Sequence, residues 1–405
     1  MDQEFFVKNT DGLIYLISCA LNGKVPEKER VASFDLSKVY KLAKFHSLEA
    51  VSYGALESYL NAFKDEILDI PEEIQKKWSS RREASVKKDV MFSFEREKLF
   101  AFLEKEGIWY LPLKGIYLRE MYPVHGWRHL ADNDILFDME YREKIRDYMV
   151  ENGYSVKVYG ISAHDVYLKP PFYNFEMHIY LFKNTSFDER LNDLYLYYKD
   201  IKEKLVKDEK SNYGYRMRSE DFYIYNLAHA YKHHLGGGTG LRTFVDTFVM
   251  LRSFGNTLDR EYIAAELEKL GMTEFEENVR VLSKKLFYPE TADALTDEER
   301  EMLLYYSSSG TYGVLKNTVN KMMMQITEGK EGERISLWMR IKYCFGRVFP
   351  SMDYYKDYYP HIYKNKLLIP GFVIKRFFKG VFVKGTAKNE LTQLSRLKKI
   401  EKRQK

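Results

Sequence analysis

Two aspartates two residues apart, Asp132 and Asp134, lead into the apolar triplet Ile135-Leu136-Phe137, with Arg128 four residues upstream of the first. On a strand, residues i and i+2 point to one face, so the two carboxylates would aim at a common point. Carboxylates that close repel, and burying them unpaired is costly. A divalent cation removes the conflict, and Mg²⁺ takes a few carboxylates together with phosphate oxygens. The plain alternative is a solvated strand start, since surface turns also produce Asp-x-Asp.

Two further features fall nearby. Lys114-Gly115 separates a short apolar strand, 108–113, from a helix expected over 116–122. Glycine allows close backbone approach, a helix N-terminus offers free N–H groups to a phosphate, and the lysine adds a full charge. A tight turn with an exposed lysine is the alternative. Downstream, Phe175-Glu176-Met177-His178 alternates within a strand expected over 173–182, so Glu176 and His178 share the face opposite Phe175 and Met177. If that strand lies beside the Asp132–Asp134 strand, Glu176 becomes a third carboxylate at one site. Such a layout suits in-line nucleotidyl transfer, which uses two ions about 3.5–4 Å apart held by carboxylates.

A second constellation runs from His229 through His233, Gly236-Gly-Gly-Thr-Gly240 and Arg242 to Asp246. His229 and His233 stand one helical turn apart and could ligate a metal, but no glutamate of the His-Glu-x-x-His type accompanies them. The glycine loop before Arg242 could cradle an anion. It reads equally as a helix–helix link followed by a structural Arg242–Asp246 pair.

The elements that must position these groups follow from periodicity. Residues 1–90 read as a helical region, 91–185 as an α+β catalytic core of alternating strands and helices, 186–330 as a helical domain closing the cleft, and 331–405 as a helical, basic extension. In the first region Leu36, Val39, Leu42, Ala43, His46, Leu48 and Val51 share one helical period, which makes His46 a hydrogen-bonded core histidine. Tyr195–Lys207 reads as a helix, as do Ser219–Leu235 and Leu241–Phe254.

Composition bounds the class. With 405 residues, 45% hydrophobic and 30% charged, the chain can bury a large core over two or three domains. Two distant cysteines, Cys19 and Cys344, argue against a disulfide framework or zinc module and for a reducing cytosol. The start lacks a basic signal-type region and no apolar run reaches the roughly 20 residues of a membrane span, so a cytoplasmic protein is expected. The net charge of +5 hides an asymmetry: residues 361–405 sum to +11 and the preceding 360 to −6. The tail, with its Ile374-Lys-Arg-Phe-Phe-Lys-Gly-Val-Phe382 run, would meet an anionic partner, RNA or a membrane surface, or else stay solvated.

Taken in order, Leu113-Lys114-Gly115, Tyr122-Pro123, Arg128-x-x-x-Asp132-x-Asp134-Ile-Leu, Gly153-Tyr154 and Glu176-x-His178 resemble the bacterial uncharacterised nucleotidyltransferase family. That family is a divergent branch of the polymerase-β-like nucleotidyltransferase superfamily. The resemblance spans about residues 40–360 and is sharpest between 113 and 254. The later His-x-x-x-His, Gly-x-Gly-x-Arg and Asp pattern resembles the family's helical region, which implies a substrate or phosphate wall at His229, His233, Arg242 and Asp246. The resemblance implies a small mixed-sheet core, metal binding by Asp132 and Asp134, and the third acidic position at Glu176. The superfamily's usual Gly-Gly or Gly-Ser is replaced by Lys114-Gly115.

The expectation is a Mg²⁺- or Mn²⁺-dependent transfer of an NMP group from an NTP to a hydroxyl acceptor, with release of pyrophosphate. Lys114, Gly115, Arg128 and Arg242 are candidates for the triphosphate, and His178, His229, His233 and Asp246 for the substrate wall. Competing readings are a toxin-like nucleotidylation of tRNA or protein, a catalytically silent nucleotide- or RNA-binding module, and a membrane-surface factor in glycan assembly.

Overall fold

The central sheet is assembled from five short segments: β1 (Tyr110–Pro112), β2 (Asn133–Phe137), β3 (Ser155–Val158), β4 (His164–Lys169) and β5 (Tyr173–His178). The computed structural model describes residues 1, 3–66, 70–185, 188–288, 294–311, 313–326, 334–378 and 386–397. The strand order is β1-β2-β5-β4-β3, with β2 and β5 parallel and the other pairs antiparallel. β2 and β5 are neighbours although a helix and two strands separate them in sequence, and this single parallel pairing makes the sheet mixed. The fold is α+β, as expected.

Strand alternation gives the sheet two different faces. Ile135, Phe137, Phe175 and Met177 enter one apolar core with Leu99 and Leu103 of the helix Glu72–Lys105 and with Ile145 and Met149 of the helix Arg142–Glu151. Leu111 and Leu136 point the other way, into a larger core that joins the N-terminal helices to the helices after residue 219. Leu13, Leu42, Leu56, Phe244, Phe248 and Val279 all belong to it, so the helical regions on both sides of the sheet segment share one interior. The helix Glu72–Lys105 runs unbroken through residue 90 and reaches from the N-terminal helices to the sheet.

Several expected elements differ in length, each for a local reason. The helix expected over 116–122 is one α-turn, Gly115–Leu118, followed by a 3₁₀ turn, Arg119–Met121. It stops because Tyr122, next to Pro123, is extended at ψ 145°. The helical period through Leu48 and Val51 is broken at Ser47, whose φ of +55° ends the helix Leu36–His46 before a new helix, Glu49–Ala62. Tyr195–Lys207 is not one helix. The helix Glu189–Tyr198 gives way to a 3₁₀ turn, Ile201–Lys204, and to β6 (Val206–Lys207), which pairs with β7 (Tyr215–Arg216). That hairpin is held at the outer edge of β1, where Tyr110 N donates to Tyr213 O at 3.1 Å, so pairing overrides the local period.

His46 is the buried, hydrogen-bonded histidine expected: Nε2 meets Ser307 O at 2.8 Å and Nδ1 accepts from Leu241 N at 3.3 Å. The C-terminal helices build a separate small core from Val319, Met323, Ile335, Tyr343, Leu394 and Leu397. The region boundaries expected at residues 186 and 330 lie outside the described residues, as do 379–382 of the basic aromatic run and 398–405. Among the described residues, no helix is long and apolar enough to cross a membrane.

Candidate active site

The parallel register of β2 and β5 sets Glu176 beside Asp134 and His178 beside Leu136. Asp134 and Glu176 therefore face the same side, away from the Ile135–Met177 core. Asp132 lies one residue before β2, yet its carboxylate joins them: one oxygen from each of Asp132, Asp134 and Glu176 lies within 4.8 Å of the others. The sequence placed both aspartates on the strand; the ladder begins at Asn133 instead. On the reverse face, Asn133 accepts from Arg96 Nη1 at 2.8 Å, and Lys88 Nζ donates to Ala131 O at 3.3 Å. Two residues of the Glu72–Lys105 helix thus fix the approach to the aspartates, and neither was singled out in the sequence.

Asp134 is held from two sides. Lys114 Nζ lies 3.2 Å from Oδ2, and His178 Nε2 lies 2.8 Å from Oδ1. Lys114 reaches it from a backbone at φ +40°, in the left-handed region that a lysine seldom adopts. The unusual dihedral therefore falls on the lysine and not on Gly115. Gly115 serves by its missing side chain, since a Cβ there would stand 2.6 Å from Arg128 Nη1 and 2.8 Å from Leu130 Cδ2. The single α-turn that follows leaves little helix dipole for a phosphate.

These groups open into a cleft of about 470 Å³ between the sheet and two helices, Ser219–Gly236 and Arg242–Phe254. Lys114, Gly115, Arg128, Asp132, Asp134, Glu176, His178, His229, His233, Arg242 and Asp246 all line it. Every candidate site residue read from the sequence is thus brought to one cleft, although the roles differ. Asp246 is a part-buried counter-ion, its side chain 17% exposed. Arg128 grips it with Nε at 2.9 Å and Nη2 at 3.0 Å, Tyr122 OH donates to it at 2.7 Å, and Arg242 Nε lies 3.7 Å away. Arg242 also donates to His129 O at 2.6 Å. The i,i+4 pair expected from the sequence exists, but the bidentate partner of Asp246 comes from 118 residues upstream.

Glycines of the loop make room for close packing. A Cβ on Gly240 would stand 2.4 Å from Gly310 O, and one on Gly238 would stand 2.6 Å from Ser309 Oγ. Those glycines serve close packing against the turn after the helix Asp297–Ser309, and Val314 N donates to Gly237 O at 3.0 Å. His229 and His233 stack edge to face at 4.7 Å, and among the described residues they belong to no three-ligand metal cluster.

Two titratable cleft residues escaped the sequence reading. Lys232 follows His229 by three and precedes His233 by one, so helical periodicity alone could have found it. His164 carries no local mark, since only the pairing of β4 with β5 sets it opposite His178.

A family model described as uncharacterised nucleotidyltransferase matches residues 32–288. The chain belongs to this family. No curated protein and no solved structure matches it. The matched span holds every residue of the cleft named so far, whereas the C-terminal helices lie beyond it.

In this nucleotidyltransferase-family cleft the titrating groups are pushed apart. Burial and the Asp134 charge raise Asp132 to about 6, and burial with both aspartates raises Glu176 to about 7. Burial also acts to raise Asp134, but Lys114 and the His178 hydrogen bond outweigh it and hold Asp134 well below the usual carboxylate range. Burial and Lys114 pull Lys232 down to about 8. Burial, with His178, lowers His164 to about 4, and burial with Lys232 lowers His233 to about 3. One carboxylate is thus firmly ionised while its two neighbours are held above the ordinary carboxylate range.

Proposed function

We propose that this protein is a divalent-metal-dependent nucleotidyltransferase that moves an NMP group from an NTP to a hydroxyl acceptor and releases pyrophosphate. The observation that carries the reading is the convergence of Asp132, Asp134 and Glu176 in a cleft with lysines and arginines on its walls. The donor set fits a hard cation: three carboxylates meet, Lys114 and His178 satisfy Asp134, and the raised Asp132 and Glu176 signal negative charge that the protein leaves uncompensated. Asp132, Asp134 and Glu176 would hold Mg²⁺ or Mn²⁺, which when bound supplies triphosphate neutralisation and acidifies an acceptor hydroxyl.

The chain's own residues do the rest. Glu176, with a pKa raised to about 7, suits a group that takes the proton from that hydroxyl. Lys114 and Lys232 face the carboxylates and offer positive charge where the triphosphate would lie. Arg128 and Arg242, clamped on Asp246, hold their guanidinium groups along the wall at fixed positions. Fixed dipoles and charges of this kind are the main catalytic resource in phosphoryl-type transfer.

The test is incubation of the purified chain with each labelled NTP, Mg²⁺ or Mn²⁺, and a cell extract as the source of acceptor. Asp132→Asn and Asp134→Asn should abolish incorporation while a circular-dichroism spectrum stays unchanged. Full incorporation by the double variant would overturn the mechanism. ATP binding without pyrophosphate release, in wild type, would leave a silent nucleotide-binding module instead.

For the basic end of the chain we propose an anionic lipid surface as partner. Exposed Lys342, Lys364, Lys366 and Lys375 accompany exposed Trp338, Leu367, Leu368 and Phe377, and apolar side chains among lysines suit a bilayer interface better than an RNA backbone.

A further inference from the structure

His164 begins β4 and His178 ends β5, and the antiparallel register sets them directly opposite one another. Opposed residues of an antiparallel pair project to the same face. The two imidazole rings stand 4.8 Å apart, centre to centre, tilted by 41°. Glu176 points to that face as well, with Oε2 3.4 Å from His164 Nε2 and 3.9 Å from His178 Nε2. One nitrogen from each ring and one Glu176 oxygen all lie within 4.8 Å of one another, at the wall of the cleft.

Both ring nitrogens of His178 meet polar partners, Tyr180 O and Asp134 Oδ1. Nδ1 faces the Tyr180 carbonyl at 3.3 Å, a contact that calls for the ring's N–H on that side. Nε2 lies 2.8 Å from Asp134 Oδ1, where it hydrogen-bonds in the metal-free protein and, once deprotonated, would offer its lone pair to a cation. The Nδ1–H to carbonyl contact is also the arrangement that orients a metal-ligating histidine and fixes its tautomer.

We propose that His164, Glu176 and His178 form a second cation site, one for a transition-metal ion of the Zn²⁺ or Co²⁺ class and not for Mg²⁺. Two imidazoles and one carboxylate suit such borderline ions, whereas Mg²⁺ demands oxygen ligands. Glu176 is the only residue shared with the three-carboxylate cluster, so the site stands whether or not nucleotide is transferred. With nucleotide transfer, the shared Glu176 makes occupancy of one site a control on the other.

The test uses the full chain, stripped of metal and titrated with Co²⁺ alone, without nucleotide. Visible absorption reports imidazole–carboxylate ligation, and calorimetry reports affinity. The wild type should show an imidazole-type absorption band that saturates at one equivalent. Asp132→Asn, outside the ligand set, should keep both band and affinity. His164→Gln should lose the band and bind at least about tenfold more weakly. Wild-type Co²⁺ binding by His164→Gln, or loss of the band in Asp132→Asn, overturns the site. Should His164→Gln fail to fold, proton NMR of the Co²⁺-loaded wild type decides. Paramagnetically shifted N–H signals from two histidine rings are required, and their absence overturns the proposal. A chain that passes the Co²⁺ test but transfers no nucleotide would refute only the transferase reading.

Discussion

The cleft and the C-terminal helices treat exposed chemistry in opposite ways. In the cleft two carboxylates are answered from within: Asp134 by Lys114 and His178, Asp246 by Arg128, Arg242 and Tyr122. In the C-terminal region charge lies at the surface, and large apolar side chains lie beside it, with Trp338 71% and Leu367 90% exposed. A small core around Met323, Tyr343 and Leu394 joins described parts of those helices. The difference teaches where each region's information resides. Cleft groups are fixed by partners far away in sequence, so changing one should disturb many, while exposed C-terminal groups should tolerate change.

The largest break should come at Asp246. Asp246→Ala leaves Arg128 and Arg242 facing each other without their common carboxylate, and removing one partner of a buried pair costs about 3–5 kcal/mol. Urea unfolding measures it. Arg128→Ala should cost less than Asp246→Ala, because Tyr122 and Arg242 still serve the carboxylate. A loss below about 1 kcal/mol for Asp246→Ala would place the cluster with surface pairs and erase the contrast.

A smaller, pH-dependent effect tests the carboxylates. Asp132 and Glu176 have folded-state values raised to about 6 and 7, so the metal-free fold binds protons more tightly than the unfolded chain. Their contribution to stability is present at low pH and is lost as pH rises through 6 and 7. Metal ligation requires both groups deprotonated, so the rise in melting temperature on adding Mn²⁺ should grow from pH 5 to 8, most steeply between 6 and 7. Glu176→Gln should remove the upper part of that rise. A metal-induced shift independent of pH would mean that these carboxylates are not the ligands.

How much of this was legible in the sequence follows from the same contrast. Asp132, Asp134, Glu176 and His178 could be read because strand alternation is a local rule, and β2 and β5 obey it. Their meeting could not be derived, since it depends on the parallel register that pairs Asp134 with Glu176 across 42 residues. Arg128 could be suspected of charge work, but its bidentate partner Asp246 lies on a helix that only packing brings near. Gly236–Gly240 resembled an anion loop because glycine looks the same whether it makes room for a ligand or for another backbone. His164 and Lys88 carried no local mark, and both act through contacts made by distant elements.

The smallest expected change in the folded protein is also the sharpest test of the C-terminal side. Trp338→Glu combined with Leu367→Glu alters two side chains that face solvent, so unfolding free energy should stay within about 0.5 kcal/mol of wild type per site. NMP transfer should also be unchanged, because neither residue lines the cleft. Sedimentation with vesicles rich in anionic lipid should fall, and the wild-type binding should weaken with added salt as screened lysines lose their hold. If the variant sediments as the wild type does, the apolar face contributes nothing and charge alone attracts. If instead transfer falls with vesicle binding, the two regions are coupled, and the C-terminal helices control the cleft that their surface had set apart.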